Sequence, residues 1–472
     1  MSAADNPQRA LSLPAWTWLL IAAPLPFLCY AAVELDIAPL AAIVLVSVGV
    51  VFLRPRRRAG TAATLIIAFF LVAACHVTVG YFVAERTSRL IWIGTRAEHV
   101  YAQAFLLISA GLLAAIIGHA FASPFPKSRV QEFCRRLDFN DDRVIAVART
   151  LIVPGALLVA FVYARIGLVP LLADSPGRAR YFNYQLSSDY LLDEWLVSRA
   201  LDLLTFSLPL VIASAIWKKK WLDVVLATLG MTALLVPLRR ANLMSVFFVL
   251  LLMHALKVGR PQLKHAGVVI ALIAGYALSQ FVFVNIVGFG DFDAESGIMV
   301  AGSALPEVRD LGWTLDLLHG QSLYGTTFVQ ALVPMPSLLS DFSQMHSLRA
   351  VTSRLIGLDV DRQTGGLRLT MAGEAYLNFG YFGPVIVGLL FGIACAYVET
   401  AMRVLAARRA MWSHCLAAVL FVWLCFWVYL GGTQAAATVK IGVALLLLTL
   451  YLSRTRPDNA AAPILPAREV GA

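Results

Sequence analysis

The stretch Ala38–Arg58, APLAAIVLVSVGVVFLRPRRR, decides the fold of this chain. Its apolar run ends at Leu53 and is followed directly by Arg54 and three further arginines. Such a run is typical of a membrane-spanning helix, and arginines that flank a span stay on the cytoplasmic side. The stretch therefore predicts a span that ends inside, and it places the acidic turn Glu34–Asp36 outside.

Apolar runs recur along the whole chain. Of its 472 residues, 60% are hydrophobic and only 14% are charged, whereas about a quarter of the residues of a soluble domain are charged. This composition excludes a water-soluble enzyme. We predict an all-α, polytopic integral membrane protein with about 12 transmembrane helices, whose first span is a retained anchor. It forms a single domain, residues 1–472, with both termini cytoplasmic. The predicted spans are Ala15–Val33, a second span ending at Leu53, Thr61–Ala84, His99–Ala122, Val144–Gly167, Arg199–Trp217, Trp221–Pro237, Ala241–Ala255, His265–Val287, Glu374–Val398, Met411–Leu430 and Ala435–Leu452.

Basic residues fall where this alternation of spans predicts them. Every predicted inner loop carries Lys or Arg, as in Lys218–Lys220, and the tail 454–472 is predicted to be cytoplasmic. Two predicted outer segments, 168–198 and 288–373, are long, and loops of this length usually carry function. Within the second, apolar residues at near-helical spacing over Leu311–Val333 predict a helix that lies at the membrane interface.

Several arginines remain on the predicted outer side, where topology gives them no reason to be. A guanidinium group can bind two phosphate oxygens at once, so we regard them as candidates for binding a phosphorylated substrate. The alternative for the pair in the tight turn at 239–240 is binding to lipid headgroups or to Asp202 and Glu374. The candidates are Arg178, Arg180, Arg239, Arg240 and Arg354.

Glu374 is the leading candidate for a catalytic base. It shares one predicted helix face with Asn378, directly after a glycine-rich segment. Ionisable residues within spans are functional candidates by default, and the alternative is a carboxylate that caps a helix N-terminus. His346, in the basic half of the long outer loop, is the second candidate base or a phosphate contact, and the alternative is an exposed loop histidine.

Motifs for several other chemistries are absent from the sequence. There is no phosphate-binding G-x-x-x-x-G-K-[ST] loop, which argues against ATP-driven transport. The six cysteines form no C-x-x-C pair and have no metal-ligand spacing. We therefore expect no metal, no cofactor and no nucleic acid partner.

Short motifs in the second half of the chain indicate a family. They are Tyr324–Phe328, Val333–Pro336, Thr364–Leu367 and above all Gly373–Gly383, GEAYLNFGYFG; upstream, Ile166–Leu172 with its following arginines and the turn Pro237–Asn242 also match. With these segments the chain resembles the oligosaccharide repeat-unit polymerases, the Wzy-type O-antigen and exopolysaccharide polymerases of bacterial inner membranes.

The resemblance implies a metal-independent glycosyltransferase with chemistry at the outer face of the membrane. A glycan on undecaprenyl pyrophosphate would pass to a sugar hydroxyl of a newly arrived lipid-linked repeat unit. The candidate arginines would stabilise the departing pyrophosphate, and Glu374 or His346 would deprotonate the acceptor hydroxyl. Candidate sugar contacts are Tyr376, Asn378 and Tyr324.

Two alternatives stay open at this point. An O-antigen ligase performs the same chemistry on a different acceptor, and a flippase for lipid-linked oligosaccharide could hold pyrophosphate with the same arginines. A transporter should show inverted repeats or charges along the whole transmembrane path, and the sequence shows neither. Expected partners are the lipid-linked glycans and membrane lipid, together with a chain-length regulator and a flippase.

Overall fold

The computed structural model describes residues 15–53, 61–87, 98–137, 139–173, 190–259, 305, 307–318, 320–333, 341–357, 367–408, 410–429, 433 and 436–453. Within these ranges the regular structure is helical and no strand occurs, which confirms the all-α prediction. The predicted span His265–Val287, the tail 454–472, Arg178 and Arg180 lie outside the described residues.

Eighteen α-helices make up most of the described chain. Five of them contain a segment long and apolar enough to cross a membrane, and several others are shorter apolar helices. The five segments are Thr61–Arg86, His99–Ala122, Asp141–Ile166, Leu192–Lys218 and Phe382–Ala407. This is consistent with a membrane protein, while the number of twelve spans stays a prediction. In chain order the helices are α1 (Ala15–Ala22), α2 (Leu25–Glu34), α3 (Ala38–Phe52), α4 (Thr61–Thr87), α5 (Glu98–Ala122), α6 (Ser128–Arg136), α7 (Asp141–Ile166), α8 (Tyr190–Lys218), α9 (Trp221–Leu235), α10 (Arg240–Val258), α11 (Glu307–Leu318), α12 (Thr326–Leu332), α13 (Asp341–His346), α14 (Leu348–Leu355), α15 (Met371–Phe379), α16 (Phe382–Ala407), α17 (Met411–Tyr429) and α18 (Ala436–Ser453).

Two predicted spans are each broken into two helices. Pro24 lies between α1 and α2, where its missing N–H ends the first helix and its fixed φ suits the start of the second. The predicted span Glu374–Val398 is divided by Gly380, whose φ of 60° and ψ of −153° suit glycine alone. Glu374 therefore lies on the short helix α15, ahead of the long helix α16.

The predicted interfacial helix Leu311–Val333 is also two helices, α11 and α12. Gly320 and Gly325, with φ of 79° and 80°, turn the chain between them. Helix α11 packs into the bundle against α4 and α5, and the buried Trp313 indole donates a hydrogen bond to the Tyr101 hydroxyl at 2.8 Å. Trp313 is therefore a core residue of the bundle.

Helices α5 and α16 share the most extensive helix–helix contact of the described bundle, with small residues on both sides. A Cβ atom added to Gly392 would lie 1.9 Å from the carbonyl oxygen of Ala115, and one added to Gly388 would lie 2.4 Å from that of Gly111. Glycine is required at both positions because the two backbones touch. Small residues are the usual means of close helix approach in a membrane, where no hydrophobic force acts between helices.

Contacts between helix termini show which termini lie at the same end of the bundle. At one, which we call the Asn140 end, the backbone N–H of Asn140 donates to Ser453 at 3.1 Å and Lys218 pairs with Asp142 at 2.8 Å. The predicted topology puts all four residues on the cytoplasmic side. The opposite end, which carries Glu374, is called the Glu374 end. These contacts agree with the predicted alternation, and which end faces the cytoplasm stays a prediction.

The tight α5–α16 contact gives a stability prediction. We expect Gly392→Ala to lower the free energy of unfolding by about 2 kcal/mol or more, because the added methyl group must push the helices apart. Leu390→Ala is the matched control, since Leu390 lies on the same helix and is 60% exposed. Thermal unfolding in detergent, followed by tryptophan fluorescence, measures both. Equal melting temperatures for the two variants would contradict the close contact.

Candidate functional site

Glu374 lies in the first turn of α15, at the centre of a buried polar cluster. The Thr370 side chain caps this helix by accepting a hydrogen bond from Gly373 N–H at 3.1 Å. One Glu374 carboxylate oxygen accepts from Thr433 N–H at 2.8 Å and the other from the Thr433 hydroxyl at 2.5 Å. The Thr327 hydroxyl is a further donor. With 0% of its surface exposed, Glu374 has no face that a substrate reaches in this structure.

Asn378 completes this cluster one helical turn later. Its amide nitrogen donates to the Thr327 hydroxyl at 2.9 Å and to the Glu374 backbone carbonyl at 2.8 Å. The shared face predicted for Glu374 and Asn378 is present. We call Thr327, Glu374, Asn378 and Thr433 the Glu374 cluster. It ties α12 and α15 to the connection between α17 and α18, so burial and hydrogen bonding hold all three segments in one arrangement.

Helix α11 positions the segment that leads into α15. Buried Asp310 accepts hydrogen bonds from the Arg309 guanidinium and, at 2.9 Å, from the backbone N–H of Arg368. Burial raises the pKa of the Asp310 carboxyl above its ordinary value, and the neighbouring Arg309 acts in the opposite direction. Because Arg368 is followed at once by the helix cap at Thr370, this contact fixes where α15 begins.

Tyr376 belongs to an aromatic group beside the Glu374 cluster. Gln103 on α5 donates to the hydroxyls of Tyr376 and Tyr381 at 3.1 and 3.4 Å. The two tyrosine rings meet edge to face with centroids 5.1 Å apart, and Tyr30 packs on Tyr381 in the same way at 5.6 Å. Such rings offer flat apolar faces with polar edges, on which a sugar ring could stack. Tyr324, in the turn before α12, is 85% exposed.

Arg239, the residue before α10, is held by helix α8. It forms an ion pair with Glu194 and donates to the Ser198 hydroxyl at 2.9 Å. Its side chain is 22% exposed and that of Glu194 is 16% exposed, so the pair reaches the surface. The alternative prediction for Arg239 is binding to lipid headgroups or to Asp202 and Glu374. In the structure Arg239 pairs with Glu194, and its charge also acts on Asp202.

The contact between α8 and α10 is polar over several turns. Glu194, Ser198 and Asp202 recur at intervals of four residues and so share one face of α8. Further along, the Asn242 side chain on α10 donates to the Thr205 hydroxyl at 3.2 Å. We call this stripe, from Glu194 to Thr205 with its partners on α10, the α8–α10 seam. Polar groups inside a membrane bundle are expensive to bury and usually mark function.

The start of α18 connects the seam with the Glu374 cluster. Asp202 pairs with Arg199 at 2.8 Å and accepts a hydrogen bond from the Thr438 hydroxyl. Thr438 follows closely on Thr433, which binds Glu374. None of the contacts within the described ranges joins Arg239 directly to Glu374. The two groups are neighbours through one short segment of chain.

The other predicted site residues lie apart from these groups or outside the described residues. Arg354 is exposed and donates to the Met345 carbonyl at 3.0 Å. His346, half-buried at the end of α13, packs its ring on Phe342 with centroids 4.6 Å apart. Neither contacts the Glu374 cluster or the seam within the described chain. The Arg240 side chain lies outside the described residues, as do Arg178 and Arg180.

Sequence reasoning missed Glu194 because it placed the start of α8 too late. The predicted span began at Arg199, whereas the helix begins at Tyr190. The acidic pair Asp193-Glu194 was a usable signal, since acidic residues are favoured in the first turns of helices. Both now lie on α8, where Asp193 pairs with Arg165 and Glu194 with Arg239.

Buried charges also occur at the Asn140 end, in satisfied pairs. Arg149 binds both carboxylate oxygens of Asp223, at 2.5 and 2.9 Å, and Ser214 donates to the same group. His119 lies 2.9 Å from Glu399. The two pairs join α7 to α9 and α5 to α16, and Ser214 lies on α8 near its Asn140 end, so contacts between neighbouring helices account for their burial.

Comparison with protein-family models, curated proteins and solved structures finds no match for this chain in any of the three.

The geometry of the Glu374 cluster gives a second prediction. We expect Glu374→Ala to lower the free energy of unfolding by about 3 kcal/mol, because the buried Thr433 N–H and two hydroxyls lose their acceptor. Glu374→Gln should cost less than about 1 kcal/mol, since the hydroxyls can rotate and accept from the new amide. Chemical unfolding of both variants in detergent gives the comparison. Equal losses would mean that the cluster depends on the carboxylate charge.

Proposed function

We propose that this chain joins lipid-linked oligosaccharide repeat units into a longer glycan at the outer face of the bacterial inner membrane. It acts as a metal-independent glycosyltransferase whose donor is a glycan on undecaprenyl pyrophosphate. The observation that carries the proposal is the packing of the family-like motifs against each other, close to the arginine-bearing seam. The structure itself is an all-helical, apolar bundle, and the transfer reaction is what we propose for it.

The first support is the meeting of the two strongest motif segments. Leu323 N–H, just before the first motif, donates to the Leu377 carbonyl in the second at 2.8 Å. Phe328 packs on Phe379 with ring centroids 5.6 Å apart. Together with the bond from Asn378 to Thr327, these contacts make one folded unit from segments far apart in sequence. The two motif segments therefore form one structural unit, as expected of residues that build one site.

The second support is the chemistry of the seam. Transfer from a pyrophosphate donor builds negative charge on the departing group, and a preorganised guanidinium in a poorly hydrated site stabilises that charge. Arg239 fits because its guanidinium is fixed by Glu194 and Ser198 yet remains partly exposed. Tyrosine faces around Tyr376 supply a surface for sugars at the same end of the bundle.

A decisive assay uses the purified full chain in nanodiscs with pyrophosphate-linked repeat units from the cells that express it. We expect a ladder of longer glycans on a gel, formed equally well with EDTA present. Arg239→Ala should slow elongation by about a hundredfold, because the departing charge loses its main partner. The control is Arg136→Ala, which removes an exposed arginine at the Asn140 end.

The same samples separate the alternatives. Transfer of a glycan to a lipid A core acceptor, without a ladder, would assign the chain as a ligase. Movement of the lipid-linked substrate between leaflets, with no new glycosidic bond, would assign it as a flippase. Wild-type ladder lengths in Arg239→Ala would remove the seam from the proposed site.

A further inference from the structure

Four of the carboxylates at the Glu374 end, Asp193, Glu194, Asp202 and Glu374, differ sharply in what a substrate can reach. A general base must present a lone pair to the hydroxyl that it deprotonates. Glu374 is fully buried, so neither of its carboxylate oxygens faces a space that a substrate can enter. The side chains of Asp193 and Asp202 are 1% and 6% exposed, against 16% for Glu194. Among these four, Glu194 has the most open carboxylate.

Glu194 is also the carboxylate that lies against the candidate phosphate-binding arginine. Its ion pair with Arg239 spans from α8 to α10, with Ser198 bound to both side chains. The neighbouring acidic groups have cations of their own, Arg165 for Asp193 and Arg199 for Asp202. Glu194 and Arg239 thus form a partly exposed pair of opposite charges in the seam, close enough to Asp202 for the Arg239 charge to act on it as well.

From this arrangement we infer that Glu194, rather than Glu374, is the base of the proposed transfer reaction, with Arg239 receiving the leaving group. The inference rests on the proposed function and names a catalytic residue for it. Glu374 is then a positioning residue that holds α12, α15 and the start of α18 in place.

Glu194 and Arg239 together account for the proton and the charge that move in this step. The acceptor O–H bond breaks and its proton passes to Glu194, while the oxygen forms a bond to the anomeric carbon of the donor glycan. The bond from that carbon to the phosphate oxygen breaks, and its electron pair leaves with the lipid pyrophosphate. As Glu194 becomes neutral, the positive charge of Arg239 is released to the new negative charge. Arg239 can therefore bind the lipid pyrophosphate at the same time as negative charge forms on that leaving group.

The test separates base chemistry from packing by measuring turnover and donor binding in the same variants. We expect Glu194→Gln to lower kcat by about a hundredfold or more. The KM for the donor and the Kd for undecaprenyl pyrophosphate should stay equal or fall, because the amide no longer competes for Arg239. Glu194→Asp, which keeps a carboxylate, should recover at least about tenfold of the lost kcat.

The matched control is Glu132→Gln, which removes the carboxylate from an exposed Glu–Arg pair at the Asn140 end. It should leave kcat and KM unchanged. A Glu194→Gln variant that elongates like the wild type would overturn the assignment while leaving the polymerase function intact. Parallel loss of turnover and of undecaprenyl pyrophosphate binding would overturn it as well, in favour of a structural pair. A wild-type chain that forms no ladder would overturn both proposals together.

Discussion

The contact between α5 and α16 is the constraint on which the rest of the structure depends. Lipid offers no hydrophobic force to hold two helices together, so they associate through dispersion contacts that need close approach. Gly118 on α5 and Gly388 and Gly392 on α16 let the two backbones touch. Helix α5 then supplies Gln103 to the tyrosines beside α15, and α16 follows α15 directly. The position of the Glu374 cluster is therefore set by a contact between two glycine-bearing helix faces.

Several buried carboxylates of the described bundle are held by partners on neighbouring helices. Asp223 accepts from Arg149 and Ser214, Glu399 contacts His119, and Glu374 accepts from two threonines. Breaking a buried pair costs several kcal/mol, whereas the net worth of a complete pair is small. Such groups constrain the arrangement of helices more than they stabilise it. The Arg239–Glu194 pair differs because its carboxylate side chain is 16% exposed, against 0% for Asp223 and 9% for Glu399, and that exposure is why we assign it chemistry.

Much of the fold could be predicted from apolar runs, because an apolar run long enough to cross a membrane rarely occurs in any other kind of structure. Helix breaks were less predictable. Pro24 and Gly380 both lie inside continuous apolar stretches, where hydropathy gives no warning of a break. Trp313 lies in the stretch predicted to form a helix at the membrane interface, but its buried hydrogen bond to Tyr101 depends on a partner far away in sequence. Glu194 was missed since the start of α8 lies in a polar stretch that hydropathy assigns to a loop. The grouping of Glu374 with Asn378 followed from helix periodicity alone.

The neutrality of the Arg239–Glu194 pair has a consequence for selectivity. A membrane surface is crowded with anionic phosphates on lipid headgroups, and a bare arginine there would be occupied most of the time. An arginine held by its own carboxylate offers those headgroups no net charge. A phosphate that replaced Glu194 at Arg239 would leave the Glu194 carboxylate without its cation. This cost is avoided only when a proton from the acceptor neutralises Glu194 in the same step. The pair would then bind abundant lipid headgroups weakly and would bind the pyrophosphate of the donor when the acceptor is also present.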